Sequence, residues 1–250
     1  MENLNRFILD SWTQNDYDNL LLFVKGQVDL KYREFHSSLV PNKSPDFFLG
    51  VRMPILRKIA KAISKGNGRN FLKFPKMNYY EETILYGLVL CSIKPESYED
   101  FCNLFDSFIP MIDNWASCDL ISGKSKYFKK YKKDYFSYIE KYISSSNPWA
   151  VRYAILTMFQ YKKDVEYLEE ILERLNAITL DYYYVKMAKA WLTAELFVYH
   201  FDRMYIFLKT NNYDRETLTM TFGKIRDSYR ISDENKVKIQ ALKNHLDKSK

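Results

Sequence analysis

Apolar residues recur at three- and four-residue spacing along most of the chain, and that period belongs to the α-helix rather than to a strand, whose faces alternate every second residue. Little interrupts it, for there are only seven glycines and seven prolines in 250 residues. Pro54, Pro95 and Pro148 each suit the first turn of a helix, where a missing amide hydrogen costs nothing, and Asn147 and Ser232 suit N-caps. The pattern predicts helices over 3–12, 16–38, 54–65, 80–92, 96–108, 114–123, 126–144, 148–160, 164–176, 182–199, 201–210, 214–227 and 233–247.

The connections are short. The segment Lys65-Gly66-Asn67-Gly68-Arg69 is the one that resembles a linker, and its glycines suit a turn better than a hinge. From about residue 80 the helices pair off. Trp115, Arg152 and Trp191 follow one another at intervals of 37 and 39 residues, which is the period of a helix-pair repeat of about 40 residues. The expected fold is all-α, a HEAT-like helical repeat solenoid curved into an α–α superhelix, with residues 1–250 as a single domain. Residues at equivalent places in successive repeats then line one groove.

Charge is distributed unevenly. The chain carries 38 Lys and Arg against 31 Asp and Glu, a formal charge of +7, which suits phosphate-bearing or anionic partners. No acidic residue occurs from Phe47 to Tyr80, while Arg52, Arg57, Lys58, Lys61, Lys65, Arg69, Lys73 and Lys76 all fall there. Arg57, Lys61 and Lys65 repeat at i, i+4, where like charges repel unless an anion faces them. A second run, Lys124, Lys126, Lys129, Lys130, Lys132 and Lys133, is interleaved with Tyr127, Phe128 and Tyr131. Acidic residues gather instead at Asp164, Glu166, Glu169, Glu170 and Glu173, on a helix expected in the outer, solvent-facing layer. A single lysine run is an ordinary solvated face, but a merely soluble surface mixes its signs. The candidate nucleic-acid contacts are Arg52, Arg57, Lys61, Lys65, Lys129, Lys130 and Lys133.

Several chemistries are disfavoured. His36, His200 and His245 lie far apart, no HExxH, GxxxxGK[ST] or GxGxxG pattern occurs, and Cys91, Cys102 and Cys118 fit no metal spacing. The cysteines are expected to be buried thiols in a reducing compartment. No run of about 20 apolar residues is present, and Met1-Glu2-Asn3-Leu4-Asn5 does not open a signal segment, so a cytoplasmic protein without membrane contact is expected.

Asn114-Trp115-Ala116-Ser117-Cys118-Asp119 sets an indole and a carboxylate one helical turn apart, on one face. Arg152, flanked by Val151, Ala154 and Ile155, occupies a helix position that would favour an aliphatic residue, and an arginine there requires a buried partner or a ligand. In order and spacing, Asn-Trp-x-x-x-Asp (114–119), Trp-Ala-Val-Arg-Tyr-Ala-Ile-Leu (149–156), Lys-Met-Ala-Lys-Ala-Trp (186–191) and Phe-Leu-Gly-Val-Arg-Met-Pro-Ile-Leu-Arg (48–57) resemble the DNA alkylation repair family of HEAT-like DNA glycosylases, the AlkD type. The similarity covers roughly residues 15–230, and the stretch from Phe222 to Ser232 departs from the family's last-repeat pattern.

The resemblance implies a repeat protein that holds duplex DNA and excises cationic N3- and N7-alkylpurines without a metal; no cofactor and a monomer are expected. It implies Asp119 as the catalytic carboxylate, Trp115 and Trp191 beside the lesion's sugar, and Arg152 on the DNA backbone or positioning the aspartate. Two alternatives use the same charge map. One is a non-catalytic HEAT-like protein that binds damaged or branched DNA, and the other is a protein-interaction scaffold for an acidic partner.

Overall fold

The computed structural model describes residues 4–40 and 43–248, and every regular element among them is helical. The chain divides into two compact units, Met1–Lys132 and Lys133–Lys250. The first holds α1 (Gln14–Lys25), α2 (Leu30–Ser38), α3 (Met53–Ile63), α4 (Gly68–Phe71), α5 (Tyr80–Leu90), α6 (Tyr98–Phe108) and α7 (Trp115–Ile121). The division falls within α8 (Phe128–Tyr138). The second unit continues with α9 (Glu140–Ile143), α10 (Pro148–Met158), α11 (Leu168–Ala177), α12 (Tyr183–Phe197), α13 (Phe201–Thr210), α14 (Arg215–Asp227) and α15 (Asp233–Lys248).

Each unit is built on a row of alternate helices. In the first, α3 packs on α5 and α5 on α7, with α4 and α6 against α5. In the second, α10 packs on α12 and α12 on α14, while α9, α13 and α15 pack respectively on these three. Helix pairs stacked in this way form the all-α, HEAT-like helical repeat that the spacing predicts. The row helices carry the cores. In α10 every residue from Trp149 to Met158 is buried, and α12 contributes Val185, Ala188, Leu192 and Leu196. Each Val, Leu or Ile side chain withdrawn from water in this way favours folding by about 1.5–3 kcal/mol. In the first unit Leu56, Ile59 and Ile63 of α3 meet Ile84 and Val89 of α5 within one cluster.

Caps set most boundaries. Pro54 and Pro148 stand in the first turns of α3 and α10, and Asn147 Oδ1 accepts from Trp149 N at 2.9 Å. Ser232 opens α15 through Asn235 N at 3.3 Å. Pro95 does not begin a helix, because Ser97 caps α6 by accepting from Asp100 N at 3.0 Å.

Three expected helices are interrupted. Of 3–12, Asn3 lies outside the described residues, Leu4–Phe7 forms one 3-10 turn, and the rest is irregular. The reason is competition for backbone groups: Leu9 O accepts from Asn67 N at 2.6 Å, and Trp12 N donates to Asn70 Oδ1 at 2.5 Å. The span 16–38 breaks after Gly26, because Asp29 caps α2 through Tyr32 N and donates its own N–H to Gly50 O at 3.0 Å. Gly50 has φ +92°, and a Cβ there would stand 2.6 Å from Arg33 Cβ, so only glycine lets this loop lie on α2. The span 126–144 is broken at Ile139. The acidic segment opens as a 3-10 turn at Val165–Tyr167 before α11, and Glu166, Glu169, Glu170 and Glu173 are exposed as expected.

Candidate active site and nucleic-acid interface

In the first unit, Asn114 is fully buried and its Oδ1 accepts from Ala116 N and Ser117 N, both at 3.0 Å, which starts α7 at Trp115. Asn114 Nδ2 donates to Asp113 Oδ1 at 2.8 Å, and Asp113 is ion-paired with Lys43. With the helix start fixed, Trp115 and Asp119 fall one turn apart on α7, both partly exposed. The indole Nε1 donates to Leu39 O at the end of α2 at 3.0 Å, so the ring's polar edge is satisfied while the ring packs against the unit's core. Gly87 of α5 admits α7 closely: a Cβ there would lie 3.0 Å from Ile121 Cγ2 and 3.1 Å from Leu120 Cδ2.

In the second unit, Arg152 is 4% exposed, in the middle of α10. Its Nη1 donates to Tyr184 O, in the first turn of α12, at 2.7 Å, and its guanidinium lies 5.9 Å from the Tyr184 ring centre. A backbone carbonyl is thus one buried partner of the kind the sequence demands. Trp149 beside it belongs to the core, packed edge-on against Tyr182 and tilted against Tyr184. Trp191 is 40% exposed, far from a core tryptophan, and rests its edge on Phe159 with centroids 4.8 Å apart. Arg152 and Trp191 thus sit on the neighbouring row helices α10 and α12, as Trp115 and Asp119 share α7.

The basic residues divide by environment. Arg57, Lys58 and Lys61 are exposed on α3, and Lys65 is exposed just beyond its end. Lys129, Lys130 and Lys133 are exposed on α8, while Phe128, Tyr131, Tyr135 and Phe136 of that helix are buried. Lys130 also lies over the Tyr131 ring at 4.7 Å. Arg52 differs from the others. Its Nε and Nη2 reach Asp29 Oδ2 at 2.9 and 2.8 Å, and it lies 5.0 Å over Tyr32, so it already neutralises the acid that caps α2.

Sequence reasoning missed what holds this basic segment in place. Glu81, 1% exposed, accepts from the backbone amides of Leu49 at 2.9 Å, Gly50 at 2.8 Å and Val51 at 3.0 Å. A carboxylate holding three amides fixes the loop that leads into α3 and so aims the Arg57 and Lys61 face. Glu82 next to it accepts from the Tyr17 hydroxyl and from Tyr79 N at 2.9 Å. Two adjacent glutamates before the apolar run Ile84 to Leu90 were the available signal, since carboxylates inside such a helix require donors.

A family model described as DNA alkylation repair enzyme matches residues 30–222. The chain belongs to this family. DNA is accordingly its substrate, and repair of alkylation damage its role. The match contains all four candidate site residues and all seven candidate basic contacts, and it stops at Phe222, where the departing stretch begins. No curated protein matches this DNA alkylation repair chain. No helix among its described residues is long and apolar enough to cross a membrane.

Proposed function

We propose that this protein is a DNA glycosylase that releases N3- and N7-alkylpurines from duplex DNA, with Asp119 as the catalytic carboxylate. The observation that carries the reading is on α7. There a partly exposed carboxylate stands one turn from an indole pinned to the Leu39 carbonyl, within the span shared with a family of alkylation repair enzymes.

One carboxylate is enough for this substrate class. Glycoside hydrolysis ordinarily uses two, because a poor leaving group must be protonated while water is activated. An alkylated purine already carries the positive charge. It leaves as a neutral base with the electron pair of its bond to C1′, and positive charge develops on the sugar. Asp119 stabilises that charge, accepts a proton from the attacking water, and so directs the oxygen to C1′. The Trp115 face beside a cationic nucleotide adds cation–π attraction of about 0.5–2 kcal/mol.

In this reading Arg152 and Trp191 are the second unit's contacts to the same DNA, and the exposed cations of α3 and α8 hold phosphates. Residues 1–250 act as one repeat domain, as a monomer, in the cytoplasm and without a metal. Incubation with methylated duplex DNA and chromatography of the released bases tests the proposal. The expected result is liberation of 7-methylguanine or 3-methyladenine while a neutral lesion such as hypoxanthine stays attached. Tight duplex binding with no base released would replace the glycosylase by a non-catalytic binder.

A further inference from the structure

The row helices of the first unit end alike. Ser64 after α3, Ser92 after α5 and Ser122 after α7 each donate their hydroxyl to the carbonyl four residues back: Ala60 at 2.7 Å, Leu88 at 3.1 Å and Cys118 at 2.8 Å. A lysine follows each serine within two residues, namely Lys65, Lys94 and Lys124, all exposed. The ends of α3 and α5 and the segment that follows α7 lie along one edge. Ser64, Gly66, Asn67, Gly68, Ser92 and Tyr127 line a single polar depression of about 310 Å³ together with Lys94, and Lys126 N donates to Cys91 O at 3.0 Å. The middle of the first basic run and the start of the second, some 60 residues apart in sequence, therefore meet here.

The edge is positive in spite of the helix ends. A helix C-terminus contributes about half a negative charge, and one carbonyl at each end is occupied by the serine, whereas each lysine brings a full positive charge. Among the described residues none of Lys65, Lys94, Lys124 and Lys126 is ion-paired. Arg69 at the back of the depression is spent on Asp100, with contacts of 2.8 and 2.7 Å, and Glu96 is the exposed acid beside it. Packed helices lie about 8–10 Å apart, so the lysines form a ladder with one rung per helix. Along one DNA strand, phosphates advance about 3.4 Å each, and a rung meets roughly every third one.

We infer that this edge is a second DNA contact, a lysine ladder that holds one phosphodiester strand of a duplex across the ends of α3, α5 and α7. It rests on the proposed reading of duplex DNA as the partner and adds Lys94, Lys124 and Lys126 to it. The bland alternative is that each lysine only offsets the partial charge of its own helix end, which would explain a lysine per helix but gives no role to the shared depression.

The experiment is fluorescence anisotropy with an undamaged 20-base-pair duplex over a series of NaCl concentrations, comparing wild type with the combined Lys65→Ala, Lys94→Ala and Lys124→Ala protein, alongside thermal melts of both. The ladder expects the slope of log affinity against log salt to become shallower by about 2–3 in the variant, and affinity at low salt to fall at least tenfold. An unchanged slope overturns the ladder, and a lowered melting temperature beside it assigns the lysines to the helix ends. Because the duplex carries no lesion, this result is independent of base release. A wild-type protein that does not bind duplex DNA overturns the ladder and the proposed function together.

Discussion

Among the described residues, the charged side chains withdrawn from water are carboxylates in the first unit, Glu81 and Glu82, and cations in the second, Arg152, Arg174 and Lys189. Both units satisfy them chiefly with backbone groups left over at loops and helix ends. Glu81 takes three amides, while Arg152, Arg174 and Lys189 donate to the carbonyls of Tyr184, Phe136 and Ile178 at 2.7, 2.7 and 2.6 Å. Arg174 is further closed in by Glu140 and Glu170 at 2.6 and 2.9 Å. The contrast separates anchors from chemistry. Glu81, Arg174 and Lys189 fix connections, Arg152 joins its hold on α12 to the DNA contact proposed for it, and Asp119, partly exposed beside an indole, belongs to neither group.

The sharpest way to break this comparison is to remove an anchor. Glu81→Ala would strand three amides, two of them buried, and a loss of about 3–5 kcal/mol is expected in urea unfolding. A loss below about 1 kcal/mol would mean that the loop before α3 is not held by this carboxylate. Glu81→Gln keeps one acceptor oxygen and should fall between the two.

The second unit should respond to pH with the opposite chemistry. Burial pushes the Lys189 ammonium down to about 8, against weaker support from the Asp214 carboxylate. Between that value and the ordinary lysine range the unfolded chain binds the proton more fully than the folded one, so stability rises with pH across that window. From pH 8 to 10 the gain is about 2 kcal/mol, and well below pH 8 the cost of the buried charge is fully present. Melts across the window should show the rise in wild type, and Lys189→Met should flatten it. A wild-type profile as flat as the variant's would remove the buried cation from the comparison.

The smallest effect on stability is expected at the exposed cations. Arg57→Ala with Lys61→Ala should leave the melting temperature unchanged, yet weaken duplex binding and make its salt dependence shallower by about 2. A clear drop in melting temperature would show that these side chains serve the fold.

What could be read from the sequence follows the range of the forces involved. Helices α3, α10 and α12, the Asn114 start of α7 and the exposure of Arg57, Lys61, Lys129, Lys130 and Lys133 rest on periodicity and local caps, and they were legible. The break after Gly26 was not, because it depends on Gly50 reaching Asp29. The ion pair of Arg52 with Asp29, 23 residues earlier, was not legible either, because it depends on the same close approach. Arg152 was legible as an arginine in need of a partner, but one partner is the Tyr184 carbonyl, which no residue type announces. The pairing of Trp115 with Asp119 came from helical spacing alone and stands on α7 as expected.

The central claim concerns Asp119, and the most direct measurement is the single-turnover rate of 7-methylguanine release from a defined duplex by wild type and by Asp119→Asn, with duplex affinity measured on both. The account predicts a fall of about 10²–10⁴ in rate with affinity retained, since only the stabilisation of the sugar cation and the activation of water are lost. Equal rates in the two proteins would contradict it.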